Sequence, residues 1–426
     1  MLTLTIQSFG CRANQAEGFE WAEACQALGF KLEKSFLKSE LIIVNSCALT
    51  SEAEREVRKF LRRVARLKPQ AKIIFTGCAV PLWLEELKKN HQIILIVPND
   101  HKELLFSFFK EKFKEEIDQW PKEIREPNWK SFRSRALIKI QDGCSQDCTF
   151  CLIPRLRGPS RSRPLQEIID RIKQLIDQGY KEIVLAGIHL TSYGEEKDSN
   201  YSLLKLLEEA TKLENLGRLR LSSLDPRAVE DDLINFIGGH EKISQHFHFS
   251  FQHASEKILH RMGRKGQAEE YGRILQRLRE KSPYASLGAD FIVGFPGETE
   301  EDFLFLENFV ASSPLTYLHV FPYSRRPGTP AAQWPQIETS LKKARAERLR
   351  SLGQRKNLKF RESLRSLVFD GIAITQEKEG ETEVLTHNYI KVKVREKLRA
   401  GEAVRVRIEE VKPDETRGSV VAPWVI

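Results

Sequence analysis

The chain has 426 residues, of which 41% are hydrophobic and 30% charged, with a net charge of +9. That length exceeds one ordinary core and predicts two or three domains. The composition is that of a soluble globular protein, no apolar run reaches the length of a membrane span, and the positive excess suits an anionic partner.

Seven cysteines, an odd count, in a long chain without a secretion signal point to a reducing, cytoplasmic setting. There, clustered thiols mean metal or catalysis more often than disulfides. The N-terminus MLTLTIQSFG reads as a first strand and not as a signal peptide. Residues 1–125 alternate strand and helix patterns. Three strand patterns each run into a cysteine: LTLTIQSFGC at Cys11, LIIVNSC at Cys47 and AKIIFTGC at Cys78. Helical patterns follow at 14–28, 51–67 and 81–89, the second with Ser51 as N-cap and Glu54 in capping-box position. This alternation predicts a doubly wound parallel sheet, whose ligands gather outside the carboxyl ends of the strands. Cys11, Cys47 and Cys78 are therefore expected to converge, as a three-thiolate set that leaves one iron of a 4Fe–4S cube without a protein ligand. Cys25 shares a helix face with Trp21 and Leu28 and reads as core. Asn14 and Gln15 fit either a supporting role beside Cys11 or helix capping. A strand at 93–97 and a helix at 102–114 follow, and the stretch 120–135, with two prolines and no period, reads as a linker.

Residues 136–361 open on a strand and then DGCSQDCTFC, which sets Cys144, Cys148 and Cys151 in a CxxxCxxC loop. A closed zinc site wants four ligands. No fourth Cys or His is near in sequence, the next being His189, so a cluster with one open iron is favoured. Further strands at 182–186, 219–222, 247–251, 289–293 and 317–321 give about six βα units. Six fall short of a closed eight-strand barrel and predict an open partial barrel with its chemistry at the strand carboxyl ends. Gly187, Ser223, Asp225, Gln252 and Gly294 follow successive strands and, with Phe150, are candidate cofactor contacts. Arg155, Arg157, Arg161 and Arg163 lie among Pro and Gly and make a candidate anion site. His246 and His248 share a strand face, where structural roles outweigh a metal site. From Arg325 to Arg361 eleven basic residues accompany two acids, an excess equal to that of the whole chain. The acids that would make local i,i+4 pairs are missing, so the segment reads as a phosphate-tracking surface. Arg325, Arg326, Arg348, Arg355 and Lys356 are its candidate RNA contacts.

Residues 362–426 turn all-β. Val404, Val406 and Ile408 alternate with Arg405, Arg407 and Glu409, which buries one face and predicts a small barrel. Tyr389, Lys391 and Arg405 are candidate RNA contacts, Tyr389 by stacking on a base.

CxxxCxxC with Phe150 before the last cysteine resembles the radical S-adenosylmethionine (SAM) superfamily. IQDGCSQDCTFCLIPRLRG followed by RSR resembles its methylthiotransferase branch, GCRANQAEG resembles that branch's first motif, and PYSRRPGTPAA resembles a family signature. The end of the chain resembles the RNA-binding TRAM domain, so the resemblance spans nearly the whole sequence. It implies an α/β methylthiotransferase domain (1–125), a radical SAM domain with a basic C-terminal helix (136–361) and a TRAM-like barrel (362–426). Two 4Fe–4S clusters and SAM are the implied cofactors. Cys144, Cys148 and Cys151 would hold the cluster that cleaves SAM to a 5′-deoxyadenosyl radical, and Cys11, Cys47 and Cys78 an auxiliary cluster carrying the sulfur. The implied partner is the tRNA anticodon loop, the protein acting as a monomer away from membranes. The electron donor and the sulfur source stay unidentified. IQDGC, CTFCLIP, GIHLTSYGE and RLRLSSLDP most resemble the branch that modifies adenine carbon 2 of N6-threonylcarbamoyladenosine. The isopentenyladenosine branch and the branch acting on an aspartate of a small-subunit ribosomal protein are the alternatives. A non-catalytic iron–sulfur RNA-binding protein is the alternative of a different class.

Overall fold

The computed structural model describes residues 2–115, 134–196, 202–374 and 380–425. Its first sheet comprises β1 (Thr3–Ser8), β2 (Lys31–Leu32), β3 (Leu41–Ser46), β4 (Lys72–Gly77) and β5 (Ile93–Val97), all parallel in the order β2-β1-β3-β4-β5. The connecting helices are α1 (Arg12–Ala27), α2 (Ser51–Leu67), α3 (Val80–Leu87) and α4 (Leu105–Lys112). Every residue of β3 is buried, as a central parallel strand covered on both faces requires. Leu41 and Ile43 join Trp21, Cys25, Leu105 and Phe109 under α1 and α4. Ile42 and Val44 join Val57, Val64, Trp83 and Leu87 under α2 and α3. This is the doubly wound sheet that the alternation predicts. The ends of the helices differ from the pattern. The first starts at Arg12, and α2 is capped by Thr50, whose Oγ1 accepts from Ala53 N at 3.1 Å. The helix expected at 102–114 is split into a 3-10 segment, Asn99–Leu104, and α4. The expected linker at 120–135 lies almost wholly outside the described residues.

After β6 (Ala136–Lys139), the short antiparallel pair β7 (Gln141–Asp142) and β8 (Arg161–Ser162) brackets the second cysteine loop. β6 pairs in parallel with β9 (Glu182–Ala186), and β9 with β10 (Arg218–Leu221). A second parallel set runs through β11 (Ser223–Leu224), β12 (His246–Gln252), β13 (Ser286–Val293) and β14 (Tyr317–Pro322), joined to the first, among the described residues, by a single bridge from Leu219 to Ile243. Ser222 interrupts the third expected strand, which becomes β10 and β11. Among the described residues β14 and β6 do not pair, so the partial barrel is open at that seam. α1 packs on β6, with Ala16 and Phe19 joining the core around Leu137 and Ile138.

A long basic helix, Thr339–Ser363, leads to a closed barrel of β15 (Val368–Ala373), β16 (Thr382–Thr386), β17 (Lys391–Val394), β18 (Ala403–Val411) and β19 (Thr416–Pro423), in the order β15-β16-β17-β19-β18. This small barrel docks beneath the central one. Asn388 Nδ2 donates to Tyr284 O at 3.0 Å, Arg220 Nη2 to Thr386 O at 3.4 Å, and Arg218 lies 4.2 Å over the Trp424 ring. Among the described residues no helix is long and apolar enough to cross a membrane.

Near this junction Glu182 is fully buried. It accepts Arg220 Nε at 2.7 Å, Arg220 Nη2 at 3.0 Å and Arg135 Nη1 at 3.1 Å. Burial alone would raise its carboxyl pKa, but the arginines, Arg220 foremost, lower it to about 2. A carboxylate depressed in the folded state stabilises it above its unfolded pKa, and the contribution fades as pH falls towards the folded value. Glu182→Gln is therefore expected to cost about 3 kcal/mol at pH 7 in urea unfolding. The gap from wild type should close between about pH 4.5 and pH 2. A gap independent of pH would assign the effect to packing.

Candidate active site

β1 is the point from which the sheet is wound in both directions, so the crevice outside β1 and β3 is its topological switch point. Cys11 follows β1, Cys47 follows β3 and Cys78 follows β4. The three thiols meet there, close enough for Cys47 to feel both of the others electrostatically. Gly10 permits the approach. Its φ is +79°, and a Cβ on it would stand 2.4 Å from Cys47 Sγ. Buried Asn14 donates Nδ2 to Phe9 O at 2.8 Å and to Ser46 O at 3.0 Å, tying the Cys11 loop to the end of β3. It supports the site and does not cap α1, which has no side-chain cap.

Arg157 reaches this crevice from the short helix Ile153–Arg157. Its Nε donates to Cys78 Sγ at 3.4 Å, Nη1 to Asp142 at 2.6 Å and to Glu17 at 3.2 Å, and Nη2 to Asn14 Oδ1. Glu17 also accepts Lys102 Nζ at 2.7 Å and Lys139 Nζ at 2.9 Å. Burial opposes the charge on Glu17, yet Lys102, Arg157 and Lys139 hold its carboxyl well below the usual range. Three cations around two carboxylates, Glu17 and Asp142, leave a net positive floor beside the thiols, which suits an anionic sulfur set.

Cys144, Cys148 and Cys151 lie between β7 and the helix Ile153–Arg157. Their loop is pinned by Cys144 N to Gly158 O at 3.1 Å, Thr149 N to Met262 O at 3.0 Å and Gln141 Nε2 to Gly143 O at 2.9 Å. Cys151 Sγ accepts Ile153 N at 3.4 Å. Amides likewise point at three further sulfurs: Asn14 N at Cys11, Leu49 N at Cys47 and Gln146 N at Cys144. Burial pushes the free thiols of Cys47 and Cys151 up to about 12 and raises Cys11 and Cys144. Metal loading here must therefore release protons. Beside Cys148, Arg264 Nη1 lies 3.7 Å from Sγ and Nη2 donates to Asp225 at 2.9 Å. Asp225 further accepts Arg227 Nη2 at 2.7 Å and meets His189 Nε2 at 3.1 Å. Against burial, Arg227, His189 and Arg264 keep it ionised far below the ordinary carboxylate range.

Each trio offers three thiols with amide donors on sulfur, a set that suits an iron–sulfur cluster with one iron free of protein ligands.

The other sequence candidates are placed unevenly. Phe150 meets Phe295 edge-on at 6.0 Å between ring centroids. Gly187 packs against Gln141 and Leu190. Ser223 Oγ is buried without a partner, an atom available to a bound molecule. Gln252 takes a φ of +68° at the end of β12. Gly294 lies against Lys342 and donates its N–H to Glu298 at 2.7 Å, so it shapes a loop. Among the basic candidates, Arg326 is buried and forked onto Glu54 at 2.7 and 3.2 Å. Arg348 pairs with Glu300 and Glu307, and Lys356 donates to the carbonyls of Ala311 and Ser313. Arg325 and Arg355 are exposed, as are Lys391 (beside Glu383) and Arg405 (beside Asp370). Tyr389 turns inward against the central barrel, stacked 4.1 Å from His246. Arg264, Arg227, His189, Glu17 and Lys102 escaped the sequence reading, because their partners come from distant segments. The Arg326–Glu54 fork ties the first domain to the barrel, and a double-mutant cycle should return a coupling of about 1.5–3 kcal/mol. A coupling near zero would remove it from the interdomain contacts.

Residues 138–310 match the model of the radical SAM superfamily, and residues 3–98 match that of the uncharacterized protein family UPF0004. Relatives named threonylcarbamoyladenosine tRNA methylthiotransferase MtaB are 33–36% identical, that of Aquifex aeolicus being 34% identical over 96% of this chain and 100% of its own. A ribosomal protein uS12 methylthiotransferase RimO, from Carboxydothermus hydrogenoformans, is 33% identical over 98% of this chain and 99% of its own. Among solved structures, the radical SAM methyltransferase TsrM of Kitasatospora setae, with cobalamin and a [4Fe-4S] cluster bound, shares the fold at a TM-score of 0.55 and 15% identity, covering 78% of this chain and 77% of that one. The fold is that of a radical SAM protein. Within that class, the chain belongs to the methylthiotransferase family.

Proposed function

We propose that this protein is the methylthiotransferase that converts N6-threonylcarbamoyladenosine beside the tRNA anticodon to its 2-methylthio derivative. The observation that carries this reading is the pair of three-thiol sites in a chain matched end to end by MtaB relatives. In this reading SAM and two 4Fe–4S clusters are the cofactors, one cluster held by Cys144, Cys148 and Cys151 and the other by Cys11, Cys47 and Cys78. When bound, these groups supply one-electron cleavage of SAM at the first site and a sulfur carrier at the second, chemistry that a non-acidic C–H bond requires.

The chain's own residues do the rest. Arg264 sets a positive charge beside Cys148, and Asp225 fixes that guanidinium in place. Arg157 does the same for Cys78 and joins the two sites, since it belongs to the helix that follows Cys151. Phe150, Phe295 and Tyr323 pack together against one side of the Cys144 loop. Ser223 Oγ offers a hydrogen bond to SAM. Arg325, Arg355, Lys391 and Arg405 are the exposed cations for the RNA backbone, whose recognition is largely electrostatic. The protein acts in the cytoplasm with its tRNA, as a monomer.

The test uses anaerobically reconstituted protein, SAM, a chemical reductant and tRNA carrying threonylcarbamoyladenosine. Both 5′-deoxyadenosine and the 2-methylthio nucleoside are expected. Methylthiolation of isopentenyladenosine tRNA or of a ribosomal protein instead would replace this substrate with that one.

A further inference from the structure

Arg12 stands directly after Cys11, half-buried at the start of α1. Its neighbours in charge are all paired: Arg220, Arg218 and Arg135 with Glu182, and Arg157 with Glu17 and Asp142. Arg12 meets no carboxylate among the described residues. Its Nη1 donates to Gln15 Oε1 at 2.9 Å and its Nη2 to Tyr389 Oη at 2.5 Å. Tyr389 comes from the C-terminal barrel on a left-handed backbone, φ +69°, a strained conformation for a bulky residue that tends to mark a functional site. Its ring packs on His246 at 4.1 Å and under Arg220 at 4.9 Å. Two buried polar atoms of these neighbours have no partner, His246 Nδ1 and Arg220 Nη1. His246 uses its other nitrogen on Tyr317 Oη at 2.7 Å, and burial with the nearby arginines keeps it neutral. Arg12 also acts electrostatically on His246 and Tyr317, and the contacts through Tyr389 join these groups in one cluster.

The cluster thus presents unmet hydrogen-bond capacity and positive charge beside aromatic rings, one residue from a thiol of the Cys11 site. A buried unpaired polar group is costly unless a ligand satisfies it. On adenine, carbon 2 and the carbon bearing N6 are separated by N1 alone, so the N6 substituent must lie alongside when carbon 2 is addressed. Threonylcarbamoyl ends in a carboxylate, whereas an isopentenyl group has nothing to offer a cation.

We infer that Arg12, with His246 and Arg220, binds the carboxylate of the threonylcarbamoyl group, and that Tyr389 Oη aims the Arg12 guanidinium. The inference rests on the substrate proposed above and names the residue that selects it.

The test compares anticodon stem-loop RNAs carrying threonylcarbamoyladenosine or its neutral threonine amide, with full-length reconstituted protein. Wild type is expected to prefer the acid by about 30-fold in kcat/KM, the scale of one charge-assisted hydrogen-bonded contact. Arg12→Gln should bring that ratio near one, mainly through KM. Arg12→Lys should keep part of it, and Tyr389→Phe should lower it a few-fold. The ratio is internal to each variant, so slower turnover from a disturbed Cys11 site does not imitate the effect. If Arg12→Gln is inactive, apparent Kd values of the two RNAs for that variant and for wild type carry the same comparison. A full preference retained by Arg12→Gln overturns the assignment, as does a wild type indifferent to acid and amide while active on both. A wild type inactive on both but active on isopentenyladenosine RNA overturns the substrate itself.

Discussion

Replacing Cys148 with alanine is expected to end 5′-deoxyadenosine formation, while Cys47→Ala is expected to spare that cleavage and end methylthio transfer. The two sites lie on different structural units, one at the mouth of the partial barrel and the other at the switch point of the first sheet. Partners that merely orient metal ligands cost about 10–100-fold when lost, so removing one of three direct ligands should exceed that range. Labile iron and sulfide should fall by about half in each variant, as expected when one of two equal clusters is lost. Persistent 5′-deoxyadenosine from Cys148→Ala would detach SAM cleavage from that loop. Joint loss of both activities in Cys47→Ala would mean that the sites do not work separately.

The second large effect is structural. Glu17→Gln leaves Lys102, Lys139 and Arg157 around a neutral amide in a buried seam between the first sheet and the barrel. Breaking a buried ion cluster on one side costs about 3–5 kcal/mol, and since Asp142 still pairs with Arg157 and Lys139, the uncompensated desolvation falls chiefly on Lys102. Urea unfolding at neutral pH should show that loss. Arg157 should also shift from Cys78, so reconstitution of the first-domain cluster should weaken in the same variant. A change below about 1 kcal/mol would mean that water or Asp142 already satisfies the three cations.

The fold class was legible because strand and helix periods alternate cleanly and parallel strands announce themselves as apolar runs such as Leu41–Ser46. The strand-end rule also located the cysteines, since Cys11, Cys47 and Cys78 each close an apolar run and such ends share one edge. Contacts that depend on tertiary approach were not legible. The basic helix Thr339–Ser363 lacks acids at local spacing, yet Arg345 and Arg348 find Glu298, Glu300 and Glu307 on and before a neighbouring helix. Local charge counting overstated how much of that helix is free for RNA. Arg326 reads as a free cation in PYSRRPG but forks onto Glu54 of the first domain. Tyr389 reads as an exposed aromatic, whereas a left-handed turn sends it against Arg12 and His246. Ser222 breaks a strand that hydropathy alone makes continuous.

The most direct test of the central claim is mass spectrometry of nucleosides from bulk tRNA of cells with and without this gene. The account predicts that 2-methylthio-N6-threonylcarbamoyladenosine disappears without the gene while N6-threonylcarbamoyladenosine accumulates, and that only a copy with its six cluster cysteines intact restores it. Unchanged threonylcarbamoyladenosine species, with a methylthio group missing from isopentenyladenosine or from ribosomal protein, would contradict it.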